Sequence, residues 1–182
     1  NLLPVFVTAV PQDDSWKLMI GFEGLGEVVD HQIDRCDQKM SENGLSGNEK
    51  ADYPVIEGPF KAVFDGIWEA PYVCQADVVI ANVKQLCEDA VKITEPSSVL
   101  VDFACGRVYA GFEGLDSKQW SELGAQFNKN QGHGKLIKAP EEFRNSNDVF
   151  GSGRAEWKLS HKVKAALDPN SLFSPGVLPG RA

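Results

Sequence analysis

One five-residue segment, GFEGL, occurs twice in the sequence, at positions 21–25 and 111–115. Each copy follows an apolar segment typical of a strand and precedes a segment whose apolar residues have helical spacing. A second similarity lies downstream, where VIEGP at 55–59 resembles LIKAP at 136–140. The repeat therefore predicts two β-β-α-β halves in one chain.

The predicted architecture is α+β, an antiparallel sheet that carries its helices on one face. Each predicted helix has a single apolar stripe to bury, as expected for a helix that packs on a sheet. The two halves, about residues 1–70 and 71–140, would form a duplicated ferredoxin-like domain with extra strands. We assign residues 1–155 to this domain and residues 156–182 to a C-terminal helix with a Pro/Gly-rich tail.

Local patterns predict the individual elements. The predicted strands are 5–10 and 16–22, which form a hairpin, then 53–56, 73–80, 98–112 as one long strand or a bent pair, and 136–138. The predicted helices are 25–40, 60–68, 83–93, 115–130 and 156–167, and 141–154 is predicted to be irregular. Asp116 and Ser117 are typical residues for capping the start of the helix at 115–130.

Composition excludes several classes of protein. The net charge is −8, from 18 basic and 26 acidic residues, which disfavours nucleic acid as a partner. No apolar stretch approaches the roughly 18 residues of a transmembrane helix, and the N-terminus does not resemble a secretory signal. The four cysteines show no C-x-x-C spacing and are expected to be reduced, which favours a cytoplasmic location.

Two charged side chains beside glycines are candidate site residues. Arg107 follows Gly106 in an apolar segment, where an unpaired charge is costly to bury. It lies either at a sheet edge or toward an anionic ligand. His133 lies in the GHGK segment at 132–135, in a predicted loop of the kind that often carries active-site residues, although a structural or solvent-facing role is the alternative. The sequence shows no metal-ligand spacing, so no metal site is predicted.

The C-terminal segment carries the most specific motif. Residues 164–176 read KAALDPNSLFSPG. This segment resembles the C-terminal signature of FAD-linked oxidases of the vanillyl-alcohol oxidase type, K-x-x-x-D-P-x-x-[IL]-[LF]-N-P-G, with Ser174 where the family usually has Asn. The Gly106-Arg107 strand and the loop at 132–134 also resemble the cap region of the FAD-binding subunits of bacterial glycolate oxidases.

The resemblance implies a flavoenzyme in two parts. An N-terminal domain holds FAD through a Gly-rich pyrophosphate loop, and an α+β cap domain covers the isoalloxazine ring and shapes the substrate site. This sequence has no such loop, so the FAD-binding domain is expected upstream of it. By the same resemblance, Arg107 would balance a substrate carboxylate or the reduced flavin. His133 and Lys135 would line the same opening, and Ser174 would lie near the domain interface.

The resemblance thus predicts the substrate-cap part of a FAD-dependent oxidoreductase that oxidises a 2-hydroxy acid such as glycolate. Alone, the chain is expected to bind no FAD and to be inactive. Its expected partners are its own N-terminal domain and other subunits of a glycolate oxidase-like complex, which would hold it at the inner membrane. The alternative is a stand-alone ferredoxin-like module that binds a ligand or regulates a partner without flavin. Such a module has no need for the C-terminal motif.

Overall fold

The computed structural model describes residues 4–12, 15–45, 49–50, 53–151, 157–173 and 178–179, without the side chains of 11–12 and 53–60. Its strands are β1 (Phe6–Gln12), β2 (Ser15–Gly21), β3 (Tyr72–Asp77), β4 (Ser98–Asp102), β5 (Arg107–Phe112) and β6 (His133–Lys138). Its helices are α1 (Gly26–Glu42), α2 (Tyr53–Glu69), α3 (Val83–Ala90), α4 (Ser117–Lys129), α5 (Glu141–Ser146) and α6 (Trp157–Leu167).

The strands form one sheet in the order β2-β1-β4-β5-β3-β6, and every neighbouring pair is antiparallel. The β1–β2 hairpin was predicted from the sequence. Of the two alternatives for 98–112, one long strand or a bent pair, the structure shows the pair, β4 and β5. The expectation of an α+β fold built on an antiparallel sheet is therefore confirmed.

The duplicated arrangement is not confirmed. The segment from β3 to β6 has the connectivity β3-α3-β4-β5-α4-β6, which is a single β-α-β-β-α-β unit of ferredoxin-like type. The first half supplies the β1–β2 hairpin, which pairs with the outer edge of β4, and two helices. The predicted strand at 53–56 is wrong, because these residues begin α2. Pro54 lies in the first turn of that helix, where a missing N–H is tolerated.

The helices cover both faces of the sheet, so the prediction of helices on one face is wrong. On one face, Ile67 of α2 packs with Val73 and Leu100. On the other, Leu86 of α3 and Leu123 of α4 pack with a larger set of strand residues that includes Cys74. Successive residues of the inner strands point to opposite faces, and β4 buries Val99, Leu100 and Val101 in a row. Such a strand needs cover on both sides.

The helix starts show how local signals acted. Asp116 accepts a hydrogen bond from the backbone N–H of Gln119 at 2.7 Å, and the Gln119 side chain accepts the Asp116 N–H at 3.0 Å. This capping box begins α4 where the sequence predicts it. The short helix α5 lies where an irregular segment was predicted. A helix of six residues is too short for apolar periodicity to predict it. Glu141 and Glu142 lie in its first turn, where their negative charges interact favourably with the helix dipole.

Candidate functional site

Three of the four predicted site residues come together at one end of the sheet. Arg107 is the first residue of β5 and His133 the first of β6, and both lie directly opposite Asp77, the last residue of β3. Lys135 lies opposite Gln75, two residues back along β3. Directly opposed residues share a face of the sheet. We call these five residues, Gln75, Asp77, Arg107, His133 and Lys135, the Asp77 cluster.

Two glycines bring the three strands together at this point. Gly106 turns the β4–β5 connection with φ +68°, and its carbonyl accepts the Val78 N–H at 2.9 Å. A Cβ on Gly106 would lie 2.2 Å from the Val78 carbonyl oxygen, and a Cβ on Gly132 would lie 2.5 Å from that of Asp77. Only glycine permits both approaches. Because Arg107 and His133 directly follow these glycines, they are set beside Asp77.

The Asp77 carboxylate organises the charges of the cluster. Arg107 Nε donates to Asp77 Oδ1 at 2.5 Å, and Gln75 Nε2 donates to Asp77 Oδ2 at 2.7 Å. His133 Nε2 lies 3.8 Å from Oδ2, within the range of an ion pair when the ring is protonated. The hydrogen bond to Asp77 raises the pKa of Arg107 further above its ordinary value. Arg107 is thus a permanent cation in a fixed orientation.

The cluster is accessible to a ligand. The side chains of Arg107 and His133 are 38% and 59% exposed, and Lys135 is exposed as well. Arg107 Nε donates to Asp77 and the guanidinium also hydrogen-bonds the Tyr109 side chain, but a guanidinium has five N–H donors, more than these two partners use. The exposed parts of Arg107, His133 and Lys135 present polar and cationic groups around the Asp77 carboxylate, which suits the recognition of an anionic group such as a planar carboxylate.

The structure corrects the sequence-based positions of Arg107 and His133 and adds two residues to the site. A position at a sheet edge is wrong for Arg107, since β5 lies between β4 and β3. Sequence reasoning also missed Gln75 and Asp77. Their signal was the alternation in YVCQAD at 72–77, where two polar residues share one face of an otherwise buried strand. His133 begins a strand rather than preceding one, and its side chain is solvent-exposed.

The nearby thiol is not activated. Cys105 lies in the β4–β5 turn with Sγ 3.2 Å from Asp102 Oδ2. Partial burial and then the hydrogen bond to Asp102 raise the pKa of this thiol. Within the described ranges, His, Cys, Asp and Glu side chains form no group of three that would hold a metal ion.

The C-terminal motif forms a compact turn after α6. Asp168 accepts the backbone N–H groups of Leu172 at 2.8 Å and Phe173 at 3.0 Å. Lys164 Nζ donates to Asp168 Oδ2 at 3.0 Å and to the Phe173 carbonyl at 2.7 Å. The Phe173 N–H contributes most to lowering the pKa of Asp168. The Lys and Asp of the motif therefore hold the turn, whereas Leu172 and Phe173 are each 72% exposed. Ser174, the fourth predicted site residue, lies outside the described residues.

Comparisons with protein-family models, with curated proteins and with solved structures found no match to this chain. Among the residues described, no helix combines the length and the apolar character needed to cross a membrane.

Proposed function

We propose that this chain is the substrate-cap part of a FAD-dependent oxidoreductase that oxidises a 2-hydroxy acid such as glycolate. The observation that carries the proposal is the Asp77 cluster, because Arg107, His133 and Lys135 meet there although 26 residues separate the first two along the chain (133 − 107 = 26).

The cluster suits the recognition of a 2-hydroxy acid. Arg107 and Lys135 would bind the substrate carboxylate, and the Asp77 bond fixes the plane of the guanidinium. His133 would accept or donate a hydrogen bond at the substrate hydroxyl, which lies one carbon from the carboxylate. When FAD is bound, it supplies the hydride acceptor, and these residues orient the substrate.

In this proposal the chain's residues bind the substrate, and they do not bind the phosphates of FAD. The sequence has no Gly-rich pyrophosphate loop, so FAD would be held by an N-terminal domain outside this chain. The exposed Leu172 and Phe173 support a contact with such a domain, since the turn presents them to the surface while Asp168 and Lys164 hold it. Further subunits and a cytoplasmic location at the inner membrane belong to the same proposal.

The flavin content of the natural gene product tests this function. The protein is expressed from its own start codon beside the 182-residue chain, and cofactor is identified by absorbance and by mass spectrometry after release. FAD in the natural product and none in the 182-residue chain is the expected result. A natural product without flavin would overturn the proposal and favour the ligand-binding or regulatory module, which the single ferredoxin-like unit of β3 to β6 also supports.

A substitution tests the role of Arg107 in the flavin-containing protein. Arg107→Gln is expected to lower kcat/KM for the preferred 2-hydroxy acid at least about tenfold, since hydrogen bonds to charged groups contribute about 1.5–3 kcal/mol. Arg35→Gln on the exposed side of α1 is the matched control and should leave kcat/KM unchanged. Unchanged kinetics of Arg107→Gln with a lower Tm would make Arg107 a structural residue.

A further inference from the structure

A cavity of about 60 Å³ lies on the face of the sheet opposite the Asp77 cluster. Its floor is formed by β3, β4 and β5, and its roof by α3 and α4. The closed end is lined by Cys74, Ala76, Leu86, Leu123 and Phe127, each at most 4% exposed. The cavity is therefore part of the larger apolar core, separate from the charged site.

The lining carries no charge at neutral pH. Apart from Thr94, the residues around the cavity are apolar or cysteine. Burial raises the pKa of the Cys74 thiol to about 12 and that of the Cys87 thiol to about 11. Both thiols therefore stay protonated and behave as small hydrophobic groups. A charged ligand would lose its hydration here without gaining a partner.

The cavity opens beside β2 and the end of α3. Trp16 and Val91 both line it, yet they are 51% and 54% exposed, so these two residues lie at its mouth. Leu18, which shares the face of β2 with Trp16, is 38% exposed and extends the apolar surface outside. A molecule entering from solvent would thus contact apolar side chains along its whole length.

The size of the cavity selects the shape of the ligand. An apolar cavity of roughly 150 Å³ takes benzene. This one is less than half as large, so an aromatic ring is too wide for it and the slim end of an alkyl chain fits. We propose that the cavity is a binding site for small uncharged aliphatic molecules, whose alkyl end enters past Trp16 and Val91 toward Leu86 and Leu123. The site does not depend on the flavoenzyme function.

Methyl NMR of the 182-residue chain tests the site, with 1-hexanol as the probe. The expected result is a saturable shift of the methyl signals of Leu86, Val99 and Leu123, which line the cavity. The control compound is 1,6-hexanediol, which has the same length but a hydroxyl at each end and so has no apolar end to bury. A shift that does not saturate, or an equal response to the diol, would reduce the cavity to a packing defect and overturn the proposal.

Substitutions that fill the cavity locate the binding. Cys87→Met adds side-chain volume on α3 and is expected to weaken 1-hexanol binding at least about tenfold. Cys105→Met makes the same change on the exposed β4–β5 turn and should leave binding unaltered. Ala110→Val fills the cavity from β5 and serves where Cys87→Met does not fold. If Cys87→Met or Ala110→Val folds and still binds 1-hexanol with undiminished affinity, the molecule does not bind in this cavity.

Discussion

The two copies of GFEGL have the same sequence and opposite surroundings. In the first copy Leu25 is 79% exposed and Phe22 is half-buried, whereas in the second Leu115 is 6% exposed and Phe112 is 4% exposed. Their backbones differ too, since Gly24 has φ +146° and Gly114 does not adopt a positive φ. Both copies nevertheless end a strand and lead into a helix.

The difference arises from what packs over each copy. The second copy joins β5 to α4 inside the ferredoxin-like unit, and Phe112 and Leu115 belong to its core. The first copy joins β2 to α1, and β2 is one of the two edge strands of the sheet. A pentapeptide therefore specifies the local change from strand to helix, but neighbouring elements decide how much of it is buried. Three pairs of variants test this contrast, and a fourth pair compares a buried with an exposed carboxylate elsewhere in the molecule.

The phenylalanines should show the largest difference. Phe112→Ala is expected to lower the free energy of unfolding by about 3–5 kcal/mol, because it removes a fully packed ring from the core. Phe22→Ala should cost clearly less, since its ring is only half-buried. Urea unfolding followed by circular dichroism measures both. Equal losses would mean that the two copies are equally well packed in solution.

Replacing the two leucines should change the free energy of unfolding by amounts that differ almost as much. Leu115→Ala is expected to cost about 2–5 kcal/mol of unfolding free energy. Leu25→Ala should change it by less than about 0.5 kcal/mol, as for an ordinary surface substitution. The same unfolding experiment compares the two. A cost above 1 kcal/mol for Leu25→Ala, on the scale of surface changes, would show that another part of the protein covers this residue.

Substitutions at the N-caps of the helices that follow the two copies should change stability in opposite directions. Asp116→Ala removes the capping box of α4 and is expected to cost about 1 kcal/mol. Leu25 occupies the N-cap of α1 in an extended conformation and makes no side-chain hydrogen bond there. Leu25→Asp should therefore stabilise the protein by up to about 1 kcal/mol. A lower Tm for Leu25→Asp would contradict this.

Acid titration separates a buried carboxylate from an exposed one. Asp89 on α3, whose side chain is 10% exposed, accepts hydrogen bonds from Lys129 of α4 at 2.8 Å and from Lys92 at 3.0 Å. These bonds, that of Lys129 first, lower the pKa of Asp89 from 3.8 to about 2. Asp34 on α1 pairs with Lys50 at 3.1 Å but is 74% exposed.

Since the folded-state pKa of Asp89 is depressed, its contribution to stability is present above about pH 4. That contribution is lost as the pH falls from 4 to 2. Asp89→Asn should lower the Tm at pH 7 and approach the parent protein near pH 2. Asp34→Asn, at an exposed ion pair, should change the Tm at pH 7 much less than Asp89→Asn. A constant difference between Asp89→Asn and the parent across this range would rule out the linkage.

Local signals explain which elements were predictable. The capping residue Asp116 and the glycine turn at Gly106 act within a few residues of chain, and both lie where the sequence indicated. The segment at 53–56 was misassigned because two β-branched residues suit a strand, whereas the helix α2 that contains them packs Ile67 against the sheet. Tertiary burial overrode local preference there.

Only part of the candidate site could be predicted from the sequence. Arg107 and His133 are charged or titratable residues beside glycines, which is a local pattern. Asp77, which hydrogen-bonds Arg107 and lies beside His133, was not singled out and lay inside the strand predicted at 73–80. Its role depends on β3 lying between β5 and β6, and that order joins segments far apart in the chain.

The sequence by itself determined where most strands and helices begin and end, and it singled out the charged residues that the Asp77 cluster brings together. Only the tertiary structure decided that the ferredoxin-like unit occurs once, that helices cover both faces, and that one GFEGL copy is buried and the other exposed. Hydrogen bonds of caps and turns form between near neighbours, so a short segment encodes them. Strand order and burial depend on packing between segments that are far apart in the chain. Two identical local sequences therefore cannot show which of them will be buried.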